Sequence, residues 1–318
     1  MVNTLKKYLM DINEDAQRQY IDALSVFTAL EAAEKNAAEV RGGMVWRTQN
    51  GGDYLIRTTP ASAQKGLGVR SAKTEEIFRH FTERKNQSKI RLKELKEALE
   101  RHQRMNKALR VGRAPDLLVN ILNAVAQAGL REYFTVIGTH SLYAYEAEAG
   151  VRFMNYEAMS TKDIDLLWDV RKRLSFVAKM DGLGISFLSL LKKIDSTFEL
   201  REDQSSTAVN SKGFEVDIIR REQKDDDPHP IRLTDEDDEF YAIQAKRAGF
   251  LLDGPKFSSV IVSTNGKMAR MITIPPIVFA KFKRWMAEQE NREAIKRRRD
   301  ILQAEMVEQF AAEYLPLI

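Results

Sequence analysis

Three aspartates carry the chemistry that this sequence offers. Asp163 and Asp165 lie two residues apart in TKDIDLLWD, and Asp217 lies in FEVDIIRR. Both segments read as strands, in which residues two apart project to the same face. Asp163 and Asp165 therefore point together, while Ile164 and Leu166 point the other way, into a core. Carboxylates that converge on one spot repel unless cations separate them. An oxygen-only set suits a hard divalent ion such as Mg²⁺, with Mn²⁺ as a substitute. Two such ions clamp the oxygens of a phosphoryl group during in-line displacement. Upstream, VIGTHS runs from a strand through Gly138 into Thr139, His140 and Ser141. Backbone N–H groups at such a helix start favour phosphate, and Thr139 and Ser141 add hydroxyl donors. Taken singly, the junction also fits a plain capped turn and the aspartates a solvated strand face. The three pieces in this order point to nucleotidyl transfer, with Asp163, Asp165 and Asp217 as catalytic metal ligands and Gly138, Thr139 and Ser141 at the phosphates of an NTP.

Other candidates are weaker. Glu215 shares the strand face of Asp217 and reads as a bystander. His140 reads as a helix-start histidine satisfied by its neighbours. Lys281, followed by Lys283 and Arg284, lies on a helix opened by Pro275-Pro276, where a lysine can meet a triphosphate as a point charge. Lys281 is the expected phosphate contact. The run Lys296-Arg297-Arg298-Arg299 points all round a helix and reads as surface. The chain has no Cys, which excludes disulfides, thiol catalysis and Cys-ligated zinc. Its four His show no metal-ligand spacing.

The elements that must position these groups can be read along the chain. Residues 13–41 read as a helix, MVWRT and DYLIRTT as a hairpin, Pro60 to Gly68 as a loop, and Ala72 to about Arg110 as one long helix or a helical hairpin. From 115 onward helices and strands alternate. PDLLVNILNAVAQAG, THSLYAYEAEAG and GISFLSLLKKIDSTFEL read as helices, YFTVIG and TKDIDLLWD as strands, and STAVNSKGFEVDII as a hairpin. An acidic loop, EQKDDDPHP, precedes a second hairpin over 257–274 and two helices, IVFAKFKRWMAEQ and Arg292 to Tyr314. The expected fold is α+β: a small mixed-sheet core at 113–222, a helical N-terminal region with a hairpin at 1–112, and a hairpin-plus-helices region at 223–318.

With 43% hydrophobic and 30% charged residues, the composition suits a soluble globular protein. No signal peptide or membrane span is expected from MVNTLKKYLMDINEDAQ, so the expected location is the cytoplasm, with no membrane partner. Net charge is only +4, but residues 65–113 carry 15 Lys+Arg against 6 Glu, and residues 222–239 carry 9 Asp+Glu against 2 Lys+Arg. The basic block fits first a solvated helix face and second a nucleic-acid footprint.

These residues also carry a family likeness. A hydrophobic strand ending in Gly-Thr before a helix, then Asp-hydrophobic-Asp, then a third aspartate, resembles the DNA polymerase β-like nucleotidyltransferase superfamily. GLGVRSAKTEEI, NKALRVGRAPDLL, VIGTHSLYAYEAEAGVRF, STKDIDLLWDVRKRL, AVNSKGFEVDIIRR and KRRRDILQAEMV resemble blocks of one bacterial branch, the nucleotidyltransferase 8 family. The likeness implies a nucleotidyltransferase core with helical flanks, an NTP donor and Mg²⁺. It implies Gly138 and Thr139 at the phosphate loop, Asp163, Asp165 and Asp217 at the metals, and Lys281 near the triphosphate. His140 departs from it, standing where Asn is expected in this branch. The likeness does not name the acceptor; the expected one is a hydroxyl of RNA, such as a tRNA 3′-end, of a protein, or of a small molecule, and the basic block tilts the expectation to RNA. The rival expectation is a toxin-like or regulatory binding protein that keeps the fold and acts through a partner protein.

Overall fold

The computed structural model describes residues 8–60, 63–224 and 227–315. The chain divides into two compact units, one of Arg18–Leu109 and one combining the chain up to Gln17 with Arg110 onward. The acidic loop expected at EQKDDDPHP lies partly outside the described residues.

Strand β1 (Leu9–Asp11) precedes helix α1 (Glu14–Glu39), most of which lies in the Arg18–Leu109 unit. There β2 (Gly43–Gln49), β3 (Gly52–Thr58) and β4 (Gln64–Val69) form an antiparallel three-stranded sheet. The expected loop from Pro60 to Gly68 is thus largely a strand. QKGLGV has no apolar alternation to announce it, and pairing to β3, with a register shift at Leu55/Ile56, makes it one. Helix α2 (Ala72–Ala108) is a single helix of 37 residues. Ser71 accepts from the Thr74 backbone N–H while the Thr74 hydroxyl accepts from the Ser71 backbone N–H, closing a capping box. Gln19 on α1 donates to Asn106 of α2 at 2.9 Å, and Arg84 meets Glu39 at 2.8 Å, so the two helices lie side by side.

The second unit contains α3 (Asp116–Gln127), β5 (Phe134–Ile137), α4 (Ser141–Ala149), β6 (Val151–Phe153), α5 (Tyr156–Met159), β7 (Asp163–Trp168), α6 (Arg173–Leu183) and α7 (Phe187–Lys192). It continues with β8 (Glu199–Leu200), β9 (Thr207–Val209), β10 (Glu215–Arg221), β11 (Ile243–Ala245), α8 (Ala248–Asp253), β12 (Phe257–Val262), β13 (Met268–Thr273), α9 (Pro276–Ala287) and α10 (Ala294–Tyr314). Eight strands make one mixed sheet in the order β12-β13-β5-β7-β10-β9-β8, with β11 also on β10, while β1 pairs β6 apart from it. The fold is α+β, as the sequence pattern requires. The helix expected over GISFLSLLKKIDSTFEL is short. Ser186 caps α7, but the chain turns after Lys193 to bury Phe198 and enter β8. Helix α6 is not marked by the sequence, because its apolar residues make no clear stripe and only Phe176 and Met180 are buried.

Burial on the sheet is one-sided at its centre. Ile164, Leu166, Val216 and Ile218 are all at most 1% exposed. The alternate positions of β7 and β10 are therefore the ones left for chemistry. Tyr145 of α4 ties the helices down: its hydroxyl donates to Ile274 O at 2.7 Å, and its ring meets Phe257, Phe279 and Phe310. This cluster holds α9 and α10 against α4, at the start of which stands the Gly138 turn. No helix among the described residues is long and apolar enough to cross a membrane.

Candidate active site

Strand register assembles the acidic site. β10 runs parallel to β7 with Asp217 beside Asp165 and Glu215 beside Asp163. Same-face alternation then sets Asp163, Asp165 and Asp217 together, and one carboxylate oxygen of each lies within 4.8 Å of the others. The donor set is oxygen-only and close enough for one ion to be shared, so the residues fit a hard divalent cation. Neighbouring hydroxyls orient the outer two. Thr161 donates to Asp163 Oδ1, and Thr207, which faces Asp217 across the β9–β10 ladder, donates to Asp217 Oδ1. Glu215 is drawn off by Arg201, 3.1 Å away, and does not join the cluster.

Gly138 is shaped by Asp165. Its φ is +74°, and a Cβ there would stand 2.2 Å from Asp165 Oδ2. Only glycine lets the chain leave β5 at this conformation and this distance. Beyond it, Ser141 N donates to Gly138 O and Leu142 N to Thr139 O, which starts α4. Thr139 is buried, and its hydroxyl accepts from Gln303 Nε2 of α10 at 3.0 Å. The same Nε2 donates to Ala158 O at 2.6 Å, which fixes the orientation of the carboxamide. Ser141 corrects the expectation placed on it. It is fully buried, and its hydroxyl meets Thr273 Oγ1 at 2.7 Å, in the seam between α4 and the sheet. That bond serves packing and not a nucleotide.

Burial and like charge act together on the trio. The Asp165 carboxyl is pushed up to about 7, first by burial and then by the carboxylates of Asp163 and Asp217, with Lys283 and Arg299 opposing. Asp217 is also raised, chiefly by burial, against the Thr207 hydrogen bond. A cation among them relieves both effects.

The basic groups that act on Asp165 come from α9 and α10. Lys283 is buried, and its Nζ meets Asp300 Oδ1 at 2.9 Å, while Arg292 holds Asp300 Oδ2 at 2.7 Å. Arg299 is half-buried and donates to Ser160 O at 3.2 Å, just before β7. The lysine expected at the site, Lys281, is instead exposed. The reason is helical phase. Pro276, Phe279, Ala280, Lys283 and Ala287 form the buried stripe of α9, and Lys281 falls outside it. That stripe was visible in IVFAKFKRWMA and singles out Lys283. Arg299 was hidden in a basic run that reads as surface, and Gln303 carried no signal.

His140 is buried and stacks on Tyr143 at 5.8 Å and Phe214 at 6.1 Å. Its ring nitrogens have no hydrogen-bond partner among the described residues. Burial drives its pKa down to about 4, against the pull of Asp163, so it is neutral at ordinary pH.

Residues 116–318 match the family described as Nucleotidyltransferase. The chain belongs to this nucleotidyltransferase family. The matched stretch covers every group described above, and membership makes the chain a transferase with an NTP as substrate. No curated protein and no solved structure matches the chain.

Proposed function

We propose that this family member moves an NMP from an NTP to a hydroxyl acceptor, an RNA 3′-end such as that of a tRNA or else a protein hydroxyl, and releases pyrophosphate in a Mg²⁺-dependent reaction. The observation that carries the reading is the co-facial trio Asp163, Asp165 and Asp217, with Gly138 turning against Asp165. Asp163, Asp165 and Asp217 would hold Mg²⁺, which when bound neutralises phosphate oxygens and acidifies the attacking hydroxyl. The acceptor oxygen attacks the α-phosphorus, and the bond to the β-phosphate breaks. Asp217 Oδ1 is committed to Thr207, which leaves Oδ2 to take the proton of the hydroxyl. The turn at Gly138 and Thr139 supports the phosphates from below. Lys283 and Arg299 supply positive charge beside Asp165, in the role expected of Lys281. Catalysis here is placement and charge stabilisation, without a covalent intermediate on the protein. The exposed lysines and arginines of α2 support RNA as the acceptor.

The test is incubation of the full chain with each α-labelled NTP, Mg²⁺ and total cell extract, followed by separation of RNA, protein and small molecules. Label is expected in the RNA or protein fraction, lost with EDTA and in Asp165→Asn. Transfer of a γ-label, or an active Asp165→Asn, overturns the reading.

A further inference from the structure

A cavity of about 630 Å³ is lined among others by Ala245, Lys246, Phe282, Trp285, Gln289 and Arg292. Its volume is in the range of small-molecule pockets. Three observations connect it to the acidic trio. Asp217 and Arg221 share a face of β10, and Arg221 pairs in parallel register with Ala245 on β11. Ala245 thus lies on the carboxylate face, four residues and roughly 13 Å along the strand from Asp217. Phe282, Trp285, Met286 and Gln289 follow the i, i+3, i+4, i+7 spacing, a stripe of α9 and its C-terminal end next to the stripe that carries Lys283. Arg292, on the cavity wall, grips the same Asp300 carboxylate that holds Lys283. The cavity and the phosphate end of the site are therefore built on shared elements.

Its chemistry is that of a flat aromatic ligand. Phe282 and Trp285 stack at 5.7 Å with an interplanar angle of 28°, and the Arg247 guanidinium lies 4.9 Å over the indole. A flat ligand would take the place of the Arg247 guanidinium on the half-buried Trp285, with the amides of Gln289 and Asn291 on the same cavity wall. Such a surface accepts any base by stacking and selects among bases by amide contacts.

We infer that this cavity holds the nucleobase of the donor NTP, with the sugar bridging to the phosphates over Gly138 and the carboxylates. The inference rests on the proposed nucleotidyl transfer and assigns its base subsite to Trp285 and its neighbours. It predicts that base preference resides in Gln289 and Asn291, at the end of α9, and not in the loop at His140.

Equilibrium binding of the full chain with Mg²⁺ tests it, comparing the four NTPs, inorganic tripolyphosphate and a short single-stranded RNA across wild type, Trp285→Ala and Trp285→Phe. Wild type is expected to bind at least one NTP more tightly than tripolyphosphate. Trp285→Ala is expected to lose about tenfold or more in NTP affinity while tripolyphosphate binding stays unchanged, and Trp285→Phe to retain most of it. NTP affinity unchanged in Trp285→Ala, or lost to the same extent as tripolyphosphate affinity, overturns the stacking role. A loss confined to the RNA assigns the cavity to an acceptor base and overturns the donor assignment. Wild type that binds tripolyphosphate and every NTP equally overturns the base subsite alone. Wild type that binds neither overturns the nucleotidyl-transfer reading itself.

Discussion

At the scale of single residues, the site holds two ionisable groups, half-buried Asp165 and buried His140, with opposite pH signatures. Asp165 in the fold titrates near 7 instead of 3.8, so its protonated form contributes stability that is full in acid and lost as pH rises through that value. His140 titrates near 4 instead of 6.5, so its contribution is present at neutral pH and lost as pH falls. In EDTA, Asp165→Asn is expected to raise the melting temperature at about pH 8, reflecting a stability gain on the order of a few kcal/mol, and to have little effect at about pH 4. Mg²⁺ should raise the melting temperature of wild type and not of the variant. Equal melting curves for the two proteins at alkaline pH would remove the repulsion argument. His140→Phe keeps a ring between Tyr143 and Phe214 and should flatten the loss of stability between about pH 6.5 and 4. Gly138→Ala introduces a Cβ against Asp165 at a left-handed backbone position. It is expected to cost about 1 kcal/mol or more in stability and about a hundredfold or more in kcat, checked by thermal melts and steady-state rates.

At the scale of elements, the strands were more legible than the helices that close over them. Period-2 spacing in DIDLLW and FEVDII fixed which residues face together, and the parallel register then put Asp217 beside Asp165. Which lysine faces inward was also written in the sequence, since the apolar stripe of α9 runs through Lys283 and misses Lys281. The pairing of Lys283 and Arg292 with Asp300, and of Gln303 with Thr139, joins α9 and α10 to each other and to the Gly138 turn. That docking is set by Tyr145, Phe279 and Phe310 meeting in three dimensions, which no local pattern announces. β4 and β11 escaped for the same reason: each is a strand only because a neighbour pairs with it. Lys283→Met leaves Asp300 buried with one partner fewer, and is expected to cost about 3–5 kcal/mol. The double variant Lys283→Met with Asp300→Leu should recover much of that stability while transfer stays slow. Lys281→Met, on the exposed side, should change neither. Denaturant melts and rates on these three proteins separate the charge at the site from the packing of the helix, and a double variant with restored activity would place Lys283 outside the chemistry.

On the scale of the whole molecule, charge is segregated by unit. The Arg18–Leu109 unit contains α2, whose exposed Lys89, Lys93 and Lys96 lie on a helix with only Thr74, Leu95 and Asn106 buried. Such sparse burial leaves most of the helix surface to water, and its lysines gain little from the few i,i+4 pairs, such as Lys93 with Glu97 at 3.9 Å. The three clustered carboxylates belong entirely to the other unit. If that basic surface holds an RNA acceptor, then acceptor binding and NTP chemistry are separable by mutation. Replacing Lys89, Lys93 and Lys96 together by Glu should weaken RNA binding by about tenfold or more at moderate salt. Because each lost phosphate contact removes about 0.7 from the slope of log K against log salt for single strands, the slope should flatten by about 2. NTP affinity and the Mg²⁺-induced rise in melting temperature should not move, since neither involves α2. RNA affinity and salt slope that survive the triple substitution would assign the acceptor to another surface, and a wild-type affinity insensitive to salt would turn the search to a protein hydroxyl.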